Sequence, residues 1–308
     1  MTRENRGTHV AVHDDRNADV LIHINGELVP RDEAKVSVFD SAFLVGDGVW
    51  EGIRLHDGVF SFLGRHLDRL FASAKAIHLD IGKSRAELTE ILHDTVRANE
   101  MTTDVHVRLM VTRGIKKTPS QDPRLIVGGP TIVVIAEHKR ADPGITNAGV
   151  SLFTSTIRRL PADTIDQKWN CHSKLHEVVA LVQAIEAGAD EALMLDPHGF
   201  VATCNATNFF IVTNGEVWTS TGDYCLNGIT RGLVVELARA AEIPVAERNF
   251  SLTDVYAADE AFVTGTFGAL TPVTSVDGRT IGSGAAGAIT QQLSSIYGEA
   301  VHVASENS

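Results

Sequence analysis

The sequence predicts a mixed α/β chain, of α+β type, organised as two domains. Three observations carry this. The turn dipeptides Asn25-Gly26, Asp57-Gly58 and Asn214-Gly215 interrupt short apolar runs as β-hairpin turns do. Other stretches carry apolar residues at helical spacing, such as Leu67, Leu70, Phe71 and Ala74. A polar segment with Pro and Gly, EHKRADPGITN at Glu137–Asn147, reads as a linker. The predicted division is a smaller N-terminal α+β domain at residues 1–136, a linker at 137–147 and a larger domain at 148–308.

Residues 1–18 are polar and are predicted to be a loose tail. Val20–Ile24 and Leu28-Val29 form a hairpin around Asn25-Gly26. Gly46, Gly48 and Gly52 predict close backbone approach. A helix begins at Leu63, and a second runs from about Ser84 to Asn99 with Leu88, Ile91, Leu92 and Val96 on one face. Strands follow at Val105–Thr112 and Thr131–Ile135, and past the linker at Val150–Thr154. Lys168 and Lys174 lead into a helix marked by Leu175, Val178, Val179, Val182 and Ile185. Then come a strand at Ala192–Leu195, an Asp-Pro-His-Gly turn and a second strand ending in Thr203–Asn208. A helix begins near Thr230, and Ser251–Asp254 has capping-box spacing. A strand at Glu260–Thr264 leads into Gly265-Thr266-Phe267-Gly268, and a last helix over roughly 285–297 precedes a loose end.

The formal charge of −12, from 27 basic and 39 acidic residues, argues against nucleic acid or an anionic membrane as the main partner. No apolar run reaches membrane-spanning length, and the first residues lack the apolar core of a signal peptide. Cys171, Cys204 and Cys225 have neither CxxC nor zinc-like spacing, so a reduced, cytoplasmic setting and no metal are expected.

Three pieces have the chemistry of a phosphate cup. Gly228-Ile229-Thr230 stands where a loop enters a helix, so backbone amides and the helix dipole favour an anion. Thr266, flanked by Gly265 and Phe267-Gly268, offers amides and a hydroxyl; Arg69 offers a forked cation. Taken singly each is weak, since such a helix start is more often an ordinary N-cap and such an arginine a solvated one. Together with His66–Leu70 (H-x-D-R-L) and Thr271-Pro272, they resemble the class IV (fold-type IV) aminotransferases, which use pyridoxal 5'-phosphate. Branched-chain aminotransferase, D-amino acid aminotransferase and aminodeoxychorismate lyase are members. The resemblance runs from about Leu21 to about Ser283. It implies a two-domain fold, a homodimer with an active site between the domains completed by the partner, and an amino acid and a 2-oxo acid as substrates.

The resemblance also implies a lysine bonded to the cofactor, which then shuttles the substrate's α-proton. Aligned without a gap, Asn170 falls on that lysine and Lys174 on a family tyrosine next to it. A small insertion after Lys168 instead restores Lys168, which on a strand would share a face with Asn170. Lys174 ranks slightly ahead of Lys168; for both, an ordinary surface charge is the bland alternative, and a third reading has neither bonded. The family glutamate beside the cofactor's ring nitrogen is matched by Thr203, in Gly199-Phe200-Val201-Ala202-Thr203, with Asn208 in its family place. A threonine can hydrogen-bond the nitrogen but supplies no charge to keep it protonated. Arg108 matches an arginine that helps bind a substrate carboxylate, and Trp50, Phe43 and Phe267 are candidates to line an apolar pocket. The implied function is an aminotransferase acting on a small amino acid of branched-chain type. A lyase similar to aminodeoxychorismate lyase, or a non-catalytic cofactor-binding homologue, stands as the alternative.

Overall fold

Asn25 (φ 51°) and Gly26 (φ 99°) both take left-handed dihedrals, so the turn they form closes β1(Leu21–Ile24) onto β2(Glu27–Pro30) in register. In this computed structural model residues 6–306 are described, and they fall into two units. The smaller contains His13–Arg140, Trp169–Lys174 and the described residues from His302 on; the larger contains the residues up to Val12, Ala141–Lys168 and Leu175–Val301. Among the described residues no helix is long and apolar enough to cross a membrane.

After the hairpin the smaller unit continues through α1(Ser41–Val45), β3(Gly48–His56), β4(Val59–Phe60), α2(Leu63–Ala76), α3(Arg85–Ala98) and β5(Val105–Thr112). A short pair, β6(Ile115–Lys116) and β7(Ile126–Val127), precedes β8(Thr131–His138). Six strands form an antiparallel sheet in the order β2-β1-β8-β5-β3-β4. One face is apolar by alternation: Val49 and Ile53 of β3 and Val107 and Leu109 of β5 join Leu67 and Leu70 of α2 and Leu88 and Leu92 of α3 in one core. A capping box holds α3, with Ser84 and Glu87 exchanging side-chain and backbone bonds.

β4 pairs with Leu55 and His56 alone, which leaves the start of β3 open on that side. Residues 170–172 take the vacant edge. Trp50 N donates to Asn170 O at 3.0 Å, His172 N donates to Gly48 O at 2.9 Å, and Cys171 bridges to Val49. Gly48 is required here, because a Cβ would stand 2.6 Å from His172 Cδ2. Lys168 is not on a strand, contrary to the sequence expectation. The Asp166 carboxylate accepts from the Lys168 amide at 2.9 Å and bends the chain into a turn.

The larger unit runs α4(Pro143–Ala148), β9(Val150–Thr154), α5(Leu175–Glu186), β10(Glu191–Leu195), β11(Val201–Cys204), β12(Asn208–Thr213), β13(Glu216–Thr219), α6(Ile229–Ala240), β14(Val245–Glu247), α7(Leu252–Tyr256), β15(Glu260–Gly265), β16(Ala269–Val276), β17(Arg279–Thr280) and α8(Ala288–Glu306). Its mixed sheet is ordered β11-β10-β9-β16-β15-β12-β13-β14, with β17 on β16.

The segment expected as a linker carries α4, begun by Pro143 and capped by Asp142. Two expectations are corrected. Residues 6–18 are not a loose tail: Thr8 is buried, Ala11 bridges to Ala141, and Asp15–Asp19 form a 3-10 turn; residues 1–5 lie outside the described residues. The chain end is helical to Glu306, since nothing in 298–306 breaks α8. In α5 the apolar stripe faces outward, with Leu175, Val178 and Ile185 at 75%, 53% and 58% exposure, while Ala180 and Ala184 pack on Ala192 and Met194 of β10. Periodicity identifies the helix; the small residues decide which face the sheet takes.

Burial, and next the Arg108 cation, push the His172 imidazole down from 6.5 to about 4. His23, His56 and His138 are lowered by burial too. Above pH 6.5 these shifts leave stability unchanged; below it the unfolded chain takes up protons that the folded one resists, so stability falls toward pH 4. His172→Gln should flatten part of that fall in the thermal midpoint. An unchanged slope would show that His172 does not contribute.

Candidate active site

Strand alternation places Glu51 in the same row as Val49 and Ile53, so its carboxylate points into the core of the smaller unit with no exposed surface. A lone charge there would be very costly, and α2 brings its partners. His66 and Arg69, three apart on one helix face, both reach it. Arg69 Nε donates to Oε1 at 2.8 Å and Nη2 to Oε2 at 2.7 Å, while His66 Nδ1 lies 2.7 Å from Oε2. Burial works against the charge on Glu51, but Arg69 and then His66 outweigh it and hold the carboxyl below its ordinary value. Sequence reasoning assigns Glu51 no role. A carboxylate at a core-facing strand position, with a basic pair at i and i+3 on the next helix, is the signal that finds it.

Asn170, the residue aligned with the family lysine, joins this cluster. It is 1% exposed; its Nδ2 donates to Trp50 O at 2.6 Å and lies 3.5 Å from Glu51 Oε1, and its Oδ1 is buried without a partner. Lys174 is half-buried and Lys168 exposed. On the smaller unit's β3 and β5 the Arg108 guanidinium stacks 3.9 Å above the Trp50 ring, whose Nε1 donates to Cys171 O at 3.1 Å. Burial lowers the Arg108 pKa, so an anion would relieve a desolvated cation. Phe43 is 71% exposed on α1.

In the larger unit Gly228 is the N-cap of α6, and the first turn has no side-chain cap. A Cβ at Gly228 would stand 2.2 Å from Asn208 Oδ1, so a side chain there would push the Asn208 amide aside. Asn208 holds the approach by donating from Nδ2 to Leu226 O at 3.0 Å. Thr230 is buried, its hydroxyl 3.4 Å from Tyr297 Oη. Thr203 is buried on β11, and its hydroxyl donates to Thr207 O at 2.8 Å while Asn208 Nδ2 approaches it at 3.3 Å. Its single proton is thus spent inside the turn. Thr266 is half-buried between β15 and β16, and Phe267 beside it is buried.

The family model for class IV amino-transferases matches residues 48–276. A branched-chain-amino-acid aminotransferase-like protein of Arabidopsis thaliana is 42% identical over 282 residues, covering 91% of this chain and 50% of the relative. A putative branched-chain-amino-acid aminotransferase of Methanocaldococcus jannaschii is 42% identical over 88% of this chain and 93% of its own. Among solved structures, the branched-chain amino acid aminotransferase of Thermobaculum terrenum in its PLP-form superposes with a TM-score of 0.82 at 26% identity, covering 93% of this chain and 95% of that one. The chain belongs to the class IV aminotransferase family, and its fold is the one seen in that family's branched-chain members. It spans about half the length of the Arabidopsis relative.

Arg69→Ala should destabilise the protein by about 3–5 kcal/mol, the effect of leaving a buried charge unpaired. Adding Glu51→Gln should recover much of that loss in a denaturant titration. A single variant as stable as the parent would show that Glu51 is not held as an anion by Arg69.

Proposed function

We propose that this protein is a pyridoxal 5'-phosphate-dependent aminotransferase that exchanges the amino group of a small amino acid, of branched-chain type, with a 2-oxo acid. The start of α6 is the observation that carries this reading: a helix N-terminus with no side-chain cap, entered through a glycine against which the Asn208 amide sits. Such a terminus suits a phosphate, and this cofactor brings one. Gly228, Ile229 and Thr230 would hold it, with Thr266 as a further ligand. Asn208 would keep residues 226–228 in place behind them.

Bound cofactor supplies the electron sink for loss of an amino acid's α-proton. Lys174 would take up that proton on its neutral amine and return it on the other side of the exchange, with Lys168 the second candidate. Arg108, stacked on Trp50, would bind a substrate carboxylate, and Phe267 would contribute apolar surface. Thr203 would pack near the ring without donating to it, because its proton already goes to Thr207 O. Asn170 favours a second reading, of a protein that holds the same cofactor without a covalent bond. It has no amine, and its buried Oδ1 would accept from a ligand's amino group.

Borohydride reduction of the cofactor-loaded protein, followed by peptide mapping, separates the two. The first reading expects an adduct on Lys174 that Lys174→Ala abolishes, together with transfer from branched-chain amino acids to a 2-oxo acid. Cofactor that binds tightly yet is trapped on neither lysine supports the second reading and removes the first.

The protein is also proposed to be a cytoplasmic homodimer. The exposed stripe of α5 supports the dimer, because it is symmetric about Ala180: Leu175 corresponds to Ile185 and Val178 to Val182. Two copies packed antiparallel about a two-fold axis would each cover the other's stripe. Val178→Asp with Val182→Asp should shift the sedimenting species from dimer toward monomer. A double variant that sediments as the parent does would move the interface elsewhere.

A further inference from the structure

Glu191 opens β10 with a buried carboxylate, 3% exposed, on which donors from two distant stretches converge. Thr207 Oγ1 donates to Oε2 at 2.9 Å. Thr8 donates to Oε1 from its amide, at 2.9 Å, and from its hydroxyl. Three donors converge on the two oxygens of one carboxyl group, and in a buried setting each lost donor is felt. Glu191 thereby ties the N-terminal residues to the turn that ends at Thr207, one residue before Asn208.

The same N-terminal residues press on a second loop. A Cβ at Gly268 would stand 3.2 Å from Thr8 O and 3.3 Å from Thr8 Cβ, so the glycine admits this close approach. His9 stacks on Phe267 with ring centroids 6.4 Å apart. On the far side, Val10 packs against the main core of the larger unit and Ala11 bridges to Ala141. Residues 7–11 are thus a strap fixed at both ends, lying across the Gly265–Gly268 loop.

We propose that Glu191 is a positioning residue for ligand binding, and that the strap is a built wall of the site. Through Thr207 it sets the turn from which Asn208 holds residues 226–228; through Thr8 it holds the loop that carries Thr266. This rests on the reading that Thr266 and the Asn208-held helix start serve the phosphate of the cofactor. It goes beyond that reading by making an N-terminal segment, remote in sequence from every proposed ligand residue, part of the binding apparatus.

The test uses the full chain and four variants: Glu191→Gln, Thr8→Val, Thr8→Ser and a deletion of residues 1–11. Affinity for pyridoxal 5'-phosphate is measured by titration, and amide hydrogen exchange is followed peptide by peptide. Glu191→Gln and the deletion should weaken cofactor binding about tenfold and speed exchange in 204–207 and 265–268, with α7 and β13 unchanged. Thr8→Val should do so less, and Thr8→Ser, which keeps both donors, should match the parent. Parent-like exchange in those loops for Glu191→Gln and the deletion overturns the proposal. So does acceleration spread evenly over the larger unit, which would make Glu191 a general stabiliser. A parent that fails to bind the cofactor sinks the cofactor reading alone, because loop exchange still decides whether Glu191 and the strap position those segments.

Discussion

The carboxylate of Glu51 has no exposed surface, and much of the smaller unit's arrangement follows from the need to keep it charged and paired. Replacing a buried ion pair with apolar residues can be neutral or stabilising, but removing one partner is not. The cluster therefore constrains through its geometry rather than by adding net stability. A two-point bond from Arg69 and a third contact from His66 fix the rotation of α2 about its axis against β3. A slip of one residue in β3 would turn Glu51 to the other face and break every one of these bonds. The apolar residues around it, Val49 and Ile53, tolerate exchange among similar shapes far better than Glu51 tolerates losing Arg69.

The larger unit buries its carboxylate by a different device. Glu191 is held by hydroxyl and amide donors rather than by an arginine. Such donors are short and can be set only by backbone placed close by, so the carboxylate orders loops where Glu51 orders a helix. Gly228 belongs to the same logic. Its missing side chain lets Asn208 sit against the start of α6, and the amide of Asn208 then satisfies a loop carbonyl instead of solvent. The helix start at Gly228 is legible in a local motif, whereas Thr8 and Thr207, which hold Glu191, are not.

That difference explains what the sequence reveals and what it conceals. The hairpin at Asn25-Gly26, helices α2 and α3 and the capping box at Ser251 rest on signals within a few residues, and they stand where the pattern puts them. Gly228-Ile229-Thr230 is legible for the same reason, as a loop entering a helix. The strap at Thr8 reads as loose because its partner, Glu191, lies 183 residues away and polar composition alone says nothing of it. The outward face of α5 is hidden because periodicity defines a stripe without saying what covers it. The turn at Lys168 reads as strand because the pattern does not show the Asp166 carboxylate competing for the backbone amide.

The departures at Asn170 and Thr203 are legible only against the family pattern, and the surroundings of each residue show that more than one side chain is involved. Asn170→Lys would give up the bond to Trp50 O and set an ammonium beside Glu51, whose two oxygens already accept from Arg69. Thr203→Glu would replace a donor with an acceptor facing the Thr207 carbonyl, and two acceptors at that distance repel. Each position has thus settled into a network that the charged residue would disturb. Only one of them is left incomplete. Thr203 spends its proton and receives an approach from Asn208, whereas Asn170 keeps a buried Oδ1 without a partner, a defect of about 1–3 kcal/mol. Asn170 thus keeps an acceptor that the surrounding side chains do not use, whereas Thr203 does not.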